Sequence, residues 1–182
     1  TAYLYLLTYA FTVTSMGPCN APVAREFGLG DQWMGVLFAS HFAGFIVSVL
    51  YAGFLVDRAG LRPVMIGSVI VLAVSMIGFG AAWSVPAAFT AMFMTGIGGG
   101  GVEAAVNSLI SRMYSDTRVY SLNLMHMFFG VGAFTWPAVV GWLLASGYSW
   151  RVLYYVVGRF SIAVALMFLP KNFPYSNKKK KT

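Results

Sequence analysis

Two long uncharged stretches constrain the fold of this 182-residue chain more than any other feature. No Asp, Glu, Lys or Arg occurs in residues 1–24, and none occurs over the 40 residues from 63 to 102. A helix of roughly 20 apolar residues crosses a hydrocarbon core about 30 Å thick. The runs are continuously apolar, whereas the strands of a β-barrel would alternate polar and apolar residues. We therefore expect an all-α membrane protein that crosses the bilayer several times.

The apolar runs, and the prolines and charges that separate them, predict six transmembrane helices. We place the helices at residues 3–23, 33–56, 63–83, 87–111, 119–145 and 151–169. The first should loosen between Pro18 and Pro22, because proline lacks a backbone donor. Together they form one transmembrane domain, residues 1–170, followed by a basic tail, residues 171–182.

The distribution of Lys and Arg predicts the orientation of these helices. Nine of these residues lie in the tail and in the loops after helices two and four, and only Arg25 and Arg151 lie on the other side. Cytoplasmic loops are enriched in Lys and Arg, so both termini are expected in the cytoplasm. Because the basic residues form no continuous soluble face, the expected partner is the lipid bilayer and not nucleic acid.

A short charged turn, GFLVDRAGLRP at residues 53–63, connects helices two and three. Gly60 permits a positive φ there, and a loop of four to six residues predicts that the two helices are antiparallel neighbours. Asp57 should interact with nearby helix N-termini. The pattern G-x-x-x-D-R-x-G-x-R resembles the signature loop of the major facilitator superfamily; its residues are Gly53, Asp57, Arg58, Gly60 and Arg62.

This resemblance implies a fold of two six-helix halves around a central cavity, of which this chain looks like the N-terminal half. It also implies that the loop is a gating latch between the halves. The sequence GGGGVEAAVN at residues 98–107 resembles the fourth helix of the fucose/glucose:proton symporter group, which carries a membrane Glu followed four residues later by Asn. NLMHMFFGVGA at residues 123–133 resembles the fifth helix of that group. Proton-coupled sugar transport is what this resemblance implies.

Ionisable side chains inside a bilayer are costly and often functional. Glu103 lies nine residues before Arg112, and His126 lies eight residues after Arg118, so both are about 12–13 Å from the cytoplasmic end of their helices. Glu103 shares a helix face with Asn107, four residues later, and His126 shares a face with Asn123, three residues earlier. We expect helices four and five to be antiparallel neighbours, so that two pairs form across them: Glu103 with His126, and Asn107 with Asn123.

These four residues predict a site for protons and substrate, because asparagine offers both a donor and an acceptor to a hydroxyl group. An alternative remains open, in which Arg159 of helix six neutralises Glu103 and the pair only holds two helices together. His41 and Asn20 are further candidates for the site. The alternatives for them are packing for His41 and capping of the first helix for Asn20.

The sequence has no metal-ligand cluster, catalytic triad or nucleotide motif, so we expect no metal, no cofactor and no enzymatic activity. The resemblance covers one six-helix half, and three alternatives follow. The chain is the ordered half of a longer transporter, or a six-helix protein that completes its cavity with a second copy or another subunit. Otherwise, it is a transport-inactive structural subunit or assembly factor of a larger membrane complex.

Overall fold

The computed structural model describes residues 2–114 and 116–167, which form six α-helices. These are α1 (Ala2–Phe27), α2 (Asp31–Ala59), α3 (Leu61–Gly80), α4 (Val85–Met113), α5 (Arg118–Ala145) and α6 (Trp150–Leu166). Four of them, α2 to α5, are long and apolar enough to cross a membrane by length and composition. The all-helical class is confirmed. The predicted end of helix six and the tail at residues 171–182 lie outside the described residues.

The first helix continues where the sequence predicted that it would loosen. α1 passes through Pro18 and Pro22 and reaches Phe27. An irregular backbone in an apolar environment would leave several N–H and C=O groups without hydrogen bonds. A continuous helix that lacks only the two proline N–H groups is therefore more stable. Gly28, at φ +65°, ends the helix, and the amide of Leu29 donates to the Ala24 carbonyl at 2.9 Å.

The connection between α2 and α3 is a single residue, Gly60. Its φ is +91°, which confirms the predicted positive φ. The connection is shorter than predicted because Asp57 and Arg58 belong to the last turn of α2. Contrary to expectation, α2 and α3 touch only slightly, since each packs mainly on α4.

Helix α4 is the centre of the bundle because its glycines admit a different neighbour on each side. A Cβ atom at Gly96 would clash with the backbone of α2, and one at Gly98 would clash with the backbone of α3. At Gly99 it would clash with the ring of Tyr9 in α1. Small residues let helices approach closely in lipid. The prediction that this glycine run serves helix packing is confirmed.

Helix α5 packs mainly on α1, and only slightly on α4. The indole of Trp136 donates a 2.7 Å hydrogen bond to the Ser15 hydroxyl and stacks on Phe11 with ring centroids 4.4 Å apart. The expectation that helices four and five are close neighbours is therefore wrong in extent, because α5 packs against α1 more than against α4. Helix α6 packs on α3 and α1.

A polar clamp joins the adjacent ends of α1, α3 and α6. The Arg151 guanidinium donates to Glu26 Oε1 at 2.6 and 2.9 Å and to the Gly80 carbonyl at 2.6 Å. The Trp150 indole donates to Glu26 Oε2 at 2.6 Å. These hydrogen bonds, led by those from Arg151, hold the pKa of Glu26 below its usual value. The clamp fixes the entry of α6 relative to α1 and α3.

Candidate functional site

Glu103 lies at the meeting point of α4, α1 and α5. It is half-buried, and its charge acts on the imidazole of His126 in α5 and on the phenol of Tyr9 in α1. The structure thus brings Glu103 and His126 within electrostatic range, although their helices touch only slightly. His126 itself is exposed. The two side chains are therefore candidates for one common site.

Tyr9 is a site residue that the sequence analysis missed. It is only 5% exposed, and its ring lies against α4 in the space that Gly99 leaves open. The ring stacks on Phe45 of α2 at 5.8 Å and approaches Phe129 of α5 at 6.1 Å. The sequence shows only a tyrosine within an uncharged run. This feature does not indicate which side chains the ring contacts.

His41 is completely buried and belongs to the same aromatic cluster. Its ring lies 6.4 Å from that of Tyr9 and meets the ring of Phe42 edge-on at 5.4 Å. Within residues 2–114 and 116–167, neither ring nitrogen has a hydrogen-bond partner, and the nearby Met92 backbone falls outside hydrogen-bond geometry. A buried polar group without a partner is unfavourable. The two ring nitrogens of His41 therefore remain available to form hydrogen bonds.

The three asparagines of the predicted site lie in different surroundings. Asn107 is half-buried and Asn123 is exposed, and no hydrogen bond joins them in the described part of the chain. Asn20 lies eleven residues beyond Tyr9 on α1, about 16 Å along the axis. Its side-chain oxygen is buried and has no partner among the described residues. Asn20 is therefore distant from the cluster around Glu103, and it caps no helix end because α1 continues past it.

Arg159 and Glu103 are not in direct contact as an ion pair among the described residues. No ion pair joins them within the described ranges, and Arg159 is exposed on α6. The electrostatic neighbours of Glu103 in the described chain are Tyr9 of α1 and His126 of α5. The ion pair considered as a structural alternative is thus absent from this part of the chain.

The residues of the signature loop, 53–63, form weak surface contacts with the rest of the bundle. Asp57 forms a 3.7 Å ion pair with Arg112 at the end of α4, and both side chains are well exposed. This partner differs from the helix N-termini expected from the sequence. The Arg58 guanidinium lies 4.0 Å from the centre of the Phe54 ring. Gly53 is exposed and Arg62 is half-buried.

The two helices that contribute to the site from its flanks, α2 and α5, also have broad exposed apolar faces. Leu50 and Tyr51 of α2 are 74% and 62% exposed, and Val119 and Phe134 of α5 are 73% and 86% exposed. Such surface is compatible with lipid or with further protein. The site therefore lies on the side of the bundle formed by α1, α2, α4 and α5, away from α3 and α6.

Comparison with known proteins places these features in a family. Residues 2–182 match the profile of the Major Facilitator Superfamily. The chain is 25% identical over 181 residues to the 3-(3-hydroxy-phenyl)propionate transporter of Escherichia coli (strain K12), which covers 97% of this chain and 44% of that protein.

Two further relatives are similar to this chain. A Protein TsgA homolog of Buchnera aphidicola subsp. Acyrthosiphon pisum (strain Tuc7) is 25% identical over 94% of this chain and 45% of that protein. The 4-hydroxybenzoate transporter PcaK of Pseudomonas putida is 23% identical over 92% of this chain and 37% of that protein. The chain thus spans less than half the length of these relatives. Two of the three are named as transporters, which indicates transport and not catalysis, as expected from the sequence.

Proposed function

The chain belongs to the major facilitator superfamily, and from this premise we propose that it forms one half of a secondary active transporter for a small polar metabolite. The half works by alternating access with a second six-helix half, and Glu103 binds the transported proton. The observation that carries the proposal is the position of Glu103, half-buried between three helices and in electrostatic contact with His126 and Tyr9. A carboxyl inside a membrane protein is a functional candidate by default.

The surroundings of Glu103 allow its charge to change. A permanent partner such as arginine would keep the carboxylate ionised, but no Arg or Lys pairs with it in residues 2–114 and 116–167. Its electrostatic neighbours are the phenol of Tyr9 and the exposed imidazole of His126. Protonation of Glu103 therefore leaves no buried cation without a partner. This supports a proton carrier over a fixed structural charge.

Two classes of substrate fit the candidate residues of α1, α4 and α5. The amides of Asn107 and Asn123 suit the hydroxyl groups of a sugar, the substrate that the resemblance to the fucose/glucose:proton symporter group implies. The aromatic cluster, in which Tyr9 stacks on Phe45 and meets Phe129 at a tilt, favours a second candidate, a hydroxylated aromatic acid. Two relatives are named for such compounds. An aromatic ring can stack on aromatic side chains, whereas sugar hydroxyls can pair with the asparagine amides.

The test of proton coupling is Glu103→Gln in the complete protein, reconstituted in vesicles. Gln keeps the size and hydrogen bonding of the side chain but cannot release a proton. We expect uphill, proton-driven accumulation to fall to background while counterflow exchange of the same substrate persists. Glu26→Gln, which removes a carboxyl outside the site, is the matched control and should retain both activities.

Each other outcome has a distinct meaning. Full uphill transport by Glu103→Gln would contradict the proposed proton site. Loss of thermal stability and of both transport modes would make Glu103 a structural residue. Counterflow with labelled glucose, fucose and 4-hydroxybenzoate, measured side by side, separates the two substrate classes. If the wild-type protein transports none of a broad panel, the transport-inactive structural subunit becomes the better interpretation.

A further inference from the structure

An arginine occupies the middle of the outward face of α6. Arg159 is nine residues after Trp150 and seven before Leu166, the ends of the described helix. It is exposed, and no hydrogen bond or ion pair involves it in the described part of the chain. The residues three and seven positions away on either side share its face. They are apolar and between 38% and 57% exposed: Val152, Val156, Ile162 and Leu166.

The packing of the preceding residue gives the depth of Arg159 in the bundle. Gly158 lies against Ala73 and Ile77 of α3, and α3 is one of the helices able to cross a membrane. Ala73 lies seven residues from the nearer end of α3, about 10 Å along the axis. Arg159 therefore lies inside the apolar layer, about two helical turns from either end of the described part of α6. Unpaired charge at such a depth is costly, and intramembrane arginines generally pair.

The chain itself offers no acidic group to this face. Only one of its five acidic residues, Glu103, lies in the middle of a membrane helix. Glu103 faces α1 and α5, on the other side of the bundle from the outward face of α6. A second copy of the chain therefore cannot supply a carboxylate at the depth of Arg159 without giving up its own site.

We infer that the outward face of α6, centred on Arg159, docks a transmembrane helix of a separate membrane protein that carries an Asp or Glu near its middle. Charge complementarity and depth argue for a carboxylate within the membrane and against a lipid phosphate at its surface. The choice of a separate protein rests on the proposed function. A second half that completes the site would cover α2 and α5, because these helices flank it and α6 does not.

The inference can be tested with a synthetic transmembrane helix as the probe. A leucine–alanine peptide of about 21 residues carries one central Glu and a fluorophore, and energy transfer to the labelled complete protein reports binding in phosphatidylcholine vesicles. A second peptide carries Leu in place of the Glu. The protein variants are Arg159→Leu, Arg159→Lys and, as a control that retains the charge on the same face, Val156→Leu.

We expect the Glu peptide to bind the wild-type protein about fivefold more tightly than the Leu peptide, the size of a typical polar contact between membrane helices. Arg159→Leu should abolish this preference, whereas Arg159→Lys and Val156→Leu should retain it. Equal binding of both peptides would overturn the inference. So would loss of the preference when phosphatidylglycerol is added, because a lipid headgroup would then occupy Arg159.

The measurement requires neither substrate nor a proton gradient. Its failure leaves the proposed role of Glu103 untouched, and a failure of proton coupling leaves peptide binding unchanged. Thermal unfolding of Arg159→Leu in detergent shows whether the variant is folded. If it is unfolded, Arg159→Gln takes its place, because Gln removes the charge but keeps a long polar side chain, and it should lose most of the Glu preference; an unchanged preference in Arg159→Gln would overturn the inference.

Discussion

Glu26 is the acidic residue at the centre of the clamp. It accepts hydrogen bonds from both Arg151 and Trp150, so one carboxylate connects the end of α1 to the start of α6. About a quarter of the Arg151 side chain and 44% of the Glu26 side chain are exposed. Solvent screens such a pair, and its contribution to stability is about 1 kcal/mol or less.

This clamp predicts a pH dependence of stability. The pKa of Glu26 is lowered in the folded protein, chiefly by Arg151, so the stabilisation is complete above the usual value near 4.5. It is lost as the pH falls through the lowered folded value. We expect Glu26→Gln to unfold at a slightly lower temperature than the wild-type protein at pH 7.

The difference between the two unfolding temperatures should vanish in acid. Unfolding measured in detergent between pH 3 and 7 checks this. Asp31→Asn, which removes an exposed carboxyl from the first turn of α2, is the control for charge alone. A difference between Glu26→Gln and wild type that does not decrease as the pH falls would contradict the electrostatic explanation.

At the level of whole helices, α4 decides the arrangement of its neighbours. The glycines from Gly96 to Gly101 carry no side chain on several faces of α4. As a result, residues of α1, α2 and α3 all approach the backbone of α4. Contact with backbone atoms, unlike contact with a side chain, cannot be relieved by a change of rotamer. The spacing of α2, α3 and α4 therefore depends on these positions.

The corresponding prediction compares two helical glycines. A Cβ at Gly96 would clash with the carbonyl of His41 and the amide of Phe45, whereas a Cβ at Gly78 meets no atom within 4 Å. We expect Gly96→Ala to lose about 1–3 kcal/mol of stability through overpacking. Gly78→Ala should gain up to about 1 kcal/mol, because alanine is the better helix former.

Unfolding temperature of both variants, together with substrate exchange, measures this difference. Gly96→Ala should also impair exchange, since displacement of α2 moves His41 and Phe45 away from Tyr9. Equal stability of the two alanine variants would show that α2 and α4 are less closely packed than the structure indicates.

For the whole molecule, the charges at the two ends of the bundle predict its orientation in the membrane. Thr117 lies in the connection between α4 and α5, beside Arg118, and Tyr148 lies in the connection between α5 and α6, beside the clamp. Following the positive-inside rule, Thr117→Cys should be protected from an impermeant thiol reagent in intact cells, whereas Tyr148→Cys should react.

Permeabilised cells provide the control, because both cysteines should then react. The native Cys19 is 1% exposed and contributes little background. The reverse pattern of labelling would place both termini outside the cytoplasm and would contradict the predicted orientation.

The sequence by itself determined the features that depend on local composition. Uncharged runs fixed the existence and approximate limits of the helices, because a backbone in lipid has few alternatives to a helix. Gly60 fixed the sharp turn, because only glycine adopts positive φ without strain. The spacing of Glu103 and His126 from nearby arginines gave their common depth, since helix rise per residue is constant.

The tertiary structure alone decided which helix faces meet. Short connections suggested that α2 neighbours α3 and that α4 neighbours α5, but the glycines of α4 and the aromatic contacts of α1 produced a different set of neighbours. For this reason Tyr9 entered the site unforeseen, while Arg159 turned outward and left Glu103 without a cationic partner in the described chain. Rotation of each helix about its axis depends on long-range packing, and a continuously apolar sequence does not encode it locally.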